Sequence, residues 1–287
     1  MVISGRYWRP ASARPASAFL AAAVAVLALA MPAGASTGTA QISPEQAGYT
    51  ATGAQFKTID ARVFLRQPTQ YASEVAGFGH SVQLWSSGLV ISVGLTASTS
   101  GGGYTTYATI YDRSTHQVIA SNPNAQHCAG YGDFCAPGPV TWNYPGTTAW
   151  LRISYTPADG HLSMSEVLSS DSTDSNGNDF TSSYDLTAPP PFTQARVGTE
   201  FGSSPWDASY PYTPPARSLK VAAYTSVDLT SYSGHTASLS SWWVHHQLLA
   251  NTGQRSGRDR VASPGALHTG GASFQTAFVP QSAQSSR

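Results

Sequence analysis

Cysteine and charge are both scarce in this 287-residue chain: it has two cysteines, and only 10% of its residues are charged. Two cysteines cannot staple a fold together, so a chain of this length must rest on an apolar core. Long apolar runs are missing as well. The longest, Phe19 to Met31, has 13 residues, short of the ~20 that a membrane-spanning helix needs. Basic residues are not in excess, which argues against nucleic acid as a partner, because phosphate backbones are held by basic surfaces. The GxSxG, HExxH and P-loop signatures are absent, and with them the commonest serine-hydrolase, zinc-protease and nucleotide sites. No cofactor is implied.

The N-terminus carries an export signal. Arg6, Arg9 and Arg14 precede the apolar run, no acid appears before Glu45, and Ala33-Gly34-Ala35 is a small-x-small cleavage pattern. Residues 1–35 therefore read as a secretory signal peptide, with Ser36 opening a secreted, extracellular chain. Its removal takes three arginines and leaves 12 basic against 15 acidic residues, a net charge near −3. Outside the cell Cys128 and Cys135, with six residues between them, are expected to close a local disulfide. A metal site using His127 and Asp133 is the alternative, poorly supported by one such spacing.

The rest divides into a linker at 36–52, one β-sandwich domain at 53–250 and a disordered tail at 251–287. Within the domain apolar and polar residues alternate. Trp150, Arg152 and Ser154 oppose Ala149, Leu151, Ile153 and Tyr155; Val221, Ala223, Thr225, Val227 and Leu229 oppose Lys220, Ala222, Tyr224, Ser226 and Asp228. This period of two predicts half-buried antiparallel strands. Further strands are expected near 56–66, 78–86, 89–97, 104–112, 161–168, 180–186, 193–201 and 236–248, separated by glycine turns. An all-β, two-sheet antiparallel sandwich follows. From Asn251 onward Gly, Ser, Gln, Arg and Pro dominate, which is a disordered composition.

Three places carry side chains with chemistry. His245 and His246 follow Trp242-Trp243, but neighbours on a strand point to opposite faces and cannot chelate one metal together. Asp171 to Asp179 collects oxygen ligands around Asn176-Gly177; its glycine is misplaced for an EF-hand, and Asn-Gly is foremost a hairpin turn. Glu200, one of four glutamates, ends a predicted strand between Val197 and Phe201, a setting suited to a general acid or base.

Six segments together resemble the glutamic peptidases, the eqolisin family. They are Ala47-Gly48-Tyr49, Leu89 to Leu95 followed by Tyr107 to Asp112, Asp171-Ser172-Thr173, Thr199-Glu200-Phe201, and Leu219 to Thr225. The resemblance implies a concanavalin-like, two-sheet sandwich and acid endopeptidase chemistry, in which a Glu acts as base and a Gln stabilises the tetrahedral oxyanion. Glu200 matches the family glutamate. The family glutamine falls at Ser92, which implies an incomplete catalytic pair and impaired activity. Loss of one oxyanion donor costs about 10²–10³ in rate, and Gln83 on the preceding strand is the conceivable substitute. The competing reading is a non-catalytic extracellular module that stacks a glycan or peptide on Tyr104, Tyr107, Trp150, Tyr224 and Trp243. Either way the partner is a polypeptide or polysaccharide outside the cell.

Overall fold

A computed structural model describes residues 37–43, 46–67, 77–98, 103–129, 135–137, 141–142, 146–169, 178–201, 218–249, 262–268 and 270–279. The export signal and most of the 171–179 segment lie outside these. Alternating residues build two sheets that pack face to face. The first runs β1 (Thr37–Ser43), β17 (Trp243–Leu249), β2 (Gln46–Thr52), β14 (Gln194–Glu200), β4 (Gly77–Trp85), β5 (Leu89–Ser98), β6 (Gly103–Asp112), β10 (Thr141–Trp142). A short β7 (Val118–Ser121) also pairs with β6.

The second sheet runs β18 (Ala262–Pro264), β19 (Phe274–Phe278), β15 (Leu219–Ser231), β3 (Phe56–Leu65), β11 (Thr148–Thr156), β12 (His161–Ser169), β13 (Asn178–Asp185), β8 (Gln126–Ala129), β9 (Cys135–Pro137). Beside β15 lies β16 (Thr236–Ser238). Neighbours pair antiparallel apart from β1 with β17, which run parallel. No helix among the described residues is long and apolar enough to cross a membrane.

The expected strands inside the domain are present, and Val82, Ile91, Val93, Ile110 and Val197 of the first sheet meet Ile59, Val63, Leu151, Ile153 and Leu229 of the second in one core. Four expectations change. In β15 the alternation is reset by irregularities between Lys220 and Ala222 and between Tyr224 and Ser226, so Ala222 and Tyr224 join Val221, Val227 and Leu229 in the core while Thr225 faces outward. Residues 46–52 are not linker: β2 lies between β17 and β14 with Ala47, Tyr49 and Ala51 buried. Its alternation is weak because two of its three inward residues are alanine and its outward ones include Gly48. The 236–248 strand is broken by a 3-10 turn at Leu239–Ser241, which carries the chain from the second sheet to the first.

The disordered-tail expectation does not extend to β18 and β19. Phe274 and Phe278 are fully buried, the first stacked on Tyr224 with 4.5 Å between ring centroids, the second 5.5 Å from Phe201. Between them the Thr276 hydroxyl meets that of Thr199 at 2.6 Å. Thr276 and Phe278 thus bear on the inner side of β14 and on the residue that follows it.

Two titratable groups are also sealed between the sheets. Glu166 is fully buried, accepts one hydrogen bond from Thr106 at 3.2 Å, and its other oxygen has no partner. Burial raises its pKa to about 8. His80, equally buried among Phe78, Tyr104 and Tyr224, is lowered to about 3 by the same cause.

The two effects act on opposite limbs. The Glu166 contribution is complete below the ordinary carboxylate range and is lost as pH rises through about 8. The His80 contribution is complete above the ordinary histidine value and is lost as pH falls toward about 3. Thermal midpoints measured across pH should therefore peak in the mildly acidic range, and Glu166→Gln should flatten the fall between roughly pH 6 and 8. Phe278→Ala should cost about 3–5 kcal/mol, roughly 10 °C by calorimetry; a midpoint within about 2 °C of the natural protein's would show that β19 does not dock.

Candidate active site

Ala195, Val197 and Thr199 of β14 occupy the inner face, so Arg196, Gly198 and Glu200 stand on the outer one. The same parity on β4 sends Val82 and Leu84 inward and Ser81, Gln83 and Trp85 outward. Register then decides who meets whom. On β4, Gly79 lies opposite Glu200 and Gln83 opposite Arg196, while Gln83 faces Ser92 on β5.

Glu200 is the meeting point. The Ser81 hydroxyl and the Gln83 side-chain amide both donate to its Oε1, and the Tyr107 hydroxyl donates to Oε2 at 2.7 Å. Behind these, Gln46 donates to Ser81 at 3.3 Å and the Trp85 indole N–H donates to Gln83 Oε1 at 2.6 Å. Three donors converging on one carboxylate suit its ionised form. Burial, and then the Glu200 charge, hold the Tyr107 phenol well above its ordinary pKa, and the same two causes push Tyr111 up to about 12. Both phenols therefore stay protonated, and Tyr107 remains a donor.

Ser92 is buried on the same face, and its hydroxyl lies 3.5 Å from that of Tyr107. The side-chain amide against Glu200 thus comes from Gln83 on β4, one strand nearer to β14 than Ser92. Nothing in the sequence could place Gln83, because its position depends on the pairing of β4 with β14 across more than a hundred residues. Ser81 and Gln46 were missed for the same reason.

No family profile and no curated protein matches the chain. Solved structures do. A scytalido-glutamic peptidase with a peptide-based transition-state analogue aligns at TM-score 0.51 and 13% identity, covering 82% of this chain and 98% of the other. The same peptidase with a transition-state analogue inhibitor aligns at 0.51 and 14%, with the same coverage. The fold is that of the glutamic peptidases.

On this glutamic-peptidase fold the five aromatic residues expected to line a groove are dispersed. Tyr224 and Tyr104 are buried between the sheets, and the Tyr104 hydroxyl donates to the Arg66 carbonyl at 2.5 Å. Trp150 stands on the outer face of the second sheet beneath Arg62, 5.1 Å away. Only Tyr107 and Trp243 share the face of Glu200. Trp243 is 60% exposed and stacks with His245, whereas His246 turns inward onto Tyr49, 4.5 Å away. No group of three or more His, Cys, Asp or Glu among the described residues could hold a metal. Cys128 and Cys135 are backbone partners in the β8–β9 pair; their side chains lie outside the described residues.

The close fit of Tyr107 depends on Gly94. A Cβ there would meet the Tyr107 hydroxyl at 2.7 Å and also the His80 carbonyl. Gly94→Ala should cost about 1–3 kcal/mol in urea unfolding. Adding Tyr107→Phe should recover only part, since the backbone contact remains.

Proposed function

We propose that the protein is a secreted glutamic-type acid endopeptidase whose catalytic pair is Glu200 and Gln83. The observation that carries this reading is the side-chain amide of Gln83 held against the Glu200 carboxylate. Glu200 takes a proton from water, and the water oxygen attacks the scissile carbonyl carbon. Gln83 has two N–H donors, one for Glu200 and one for the oxyanion that forms. Tyr107, protonated throughout, is a further donor. Protonated Glu200 then returns its proton to the leaving amine as the C–N bond breaks.

Residues 1–35 act in this reading as the export signal, Cys128 and Cys135 pair as a disulfide outside the cell, and the substrate is an unfolded or extended polypeptide. A mildly acid working range agrees with a fold whose stability is lowered above neutrality by the buried Glu166 and at strongly acid pH by the buried His80. A glycan-binding module is less well supported, because the aromatic residues it needs do not share one face.

Proteolysis of an unfolded protein at about pH 2–5 tests the proposal. The natural protein should cleave it, Glu200→Gln should abolish cleavage, and Gln83→Ala should lower kcat by about 10²–10³. Ser92→Ala should change it less than about threefold. A correctly folded natural protein that cleaves nothing in this range would leave a groove that only binds.

A further inference from the structure

We propose that Trp85 is a positioning residue that fixes which end of the Gln83 amide faces Glu200, an inference that rests on the Glu200–Gln83 reading above. The two ends of a side-chain amide have nearly the same shape, and a half-turn exchanges them. While Glu200 is ionised, the carboxylate itself selects the NH₂ end. Once Glu200 has taken a proton from water, that selection vanishes. A carboxylic acid O–H can donate to the amide oxygen, and a freely turning Gln83 would swing its N–H groups away as the oxyanion forms.

An indole N–H can only donate, so the atom it meets must be Gln83 Oε1. That bond, 2.6 Å long and buried, holds the NH₂ end toward Glu200 in either protonation state. Trp85 is two residues from Gln83 on β4 and therefore on the same face. Its ring is itself held. The Arg196 guanidinium lies 3.6 Å from its centroid and that of Arg113 5.4 Å. Arg113 is tied to the Ser86 carbonyl at 2.7 Å and Arg196 to Gln194 at 3.1 Å. Cationic charge over the ring polarises the N–H and strengthens its donation.

The test separates the N–H from the ring. Benzothienylalanine placed at position 85 keeps the bicyclic ring and the cation contacts but has sulfur in place of N–H; Trp85→Phe is the companion variant. Three quantities are read: kcat and KM on an unstructured peptide at acid pH, the thermal midpoint, and the Gln83 side-chain ¹⁵N–¹H signals through an acid titration. Both variants should lose about 10–100-fold in kcat with KM within about threefold. The natural protein's Gln83 signals should shift as their carboxylate acceptor is neutralised but keep reporting one amide orientation, while in both variants a second, turned orientation should appear as Glu200 protonates. A single Gln83 orientation throughout the titration of the benzothienylalanine protein would overturn the proposal, whatever the midpoint does. Should the natural protein lack peptidase activity, the function reading fails, and the amide signals still decide the role of Trp85. Should Trp85→Phe fail to fold, the isosteric variant decides alone.

Discussion

Thr276 and Phe278 press on the inner side of β14 and on Phe201 beyond it, and Ser81, Gln83 and Tyr107 gather around Glu200 on its outer side. One strand thus serves the core with every second residue and the site with the others. That constraint couples the two. Glu200 can sit among fixed donors because Val197 and Thr199 are locked into the sandwich behind it. A slip of one residue in the β14–β4 register would put Glu200 in the core and Thr199 on the outer face. The C-terminal strand β19 therefore supports the site without touching it.

Amide and carboxylate need not come from the same strands for the same chemistry to be possible. Cross-strand neighbours on one face are close enough that Gln83 on β4 and Ser92 on β5, opposite one another, command overlapping space. Ser92 meets the Tyr107 hydroxyl at 3.5 Å, while Gln83 reaches across to Glu200 on the neighbouring β14. Each polar group then dictates the next: indole donor to amide oxygen, amide nitrogen to carboxylate, phenol to the second carboxylate oxygen. Such a chain has little freedom to rearrange, which is what preorganisation of a charged site requires.

Much of the strand pattern was legible because a period of two marks each strand locally. The strands β3, β5, β11 and β15 were read nearly to their ends. The missed strands are instructive. In β2 the outward positions are Gln46, Gly48, Thr50 and Thr52 and two of the three inward ones are alanine, and in β19 only five residues alternate, too short a run to stand out from a Ser- and Gly-rich surrounding. Their burial comes from what they dock onto.

The site divides along the same line. Glu200 could be found in the sequence through the resemblance of Thr199-Glu200-Phe201 to the family's glutamate segment, because a glutamate ending an alternating strand is by itself no more than an edge residue. The chain itself also determined the sandwich class and the parity of β3, β5 and β11, since side-chain direction follows from counting residues; in β15 the count is reset between Lys220 and Ala222 and again between Tyr224 and Ser226, so that Ala222 and Tyr224 share the core with Val227 and Leu229. Which strands lie side by side was decided only in three dimensions. The pairing of β14 with β4 brought Gln83 and Ser81 to the carboxylate. The same packing sent Tyr224 and Tyr104 to the core and Trp150 to the far sheet. Alternation is a property of one strand; adjacency is set by the burial that all of them achieve together.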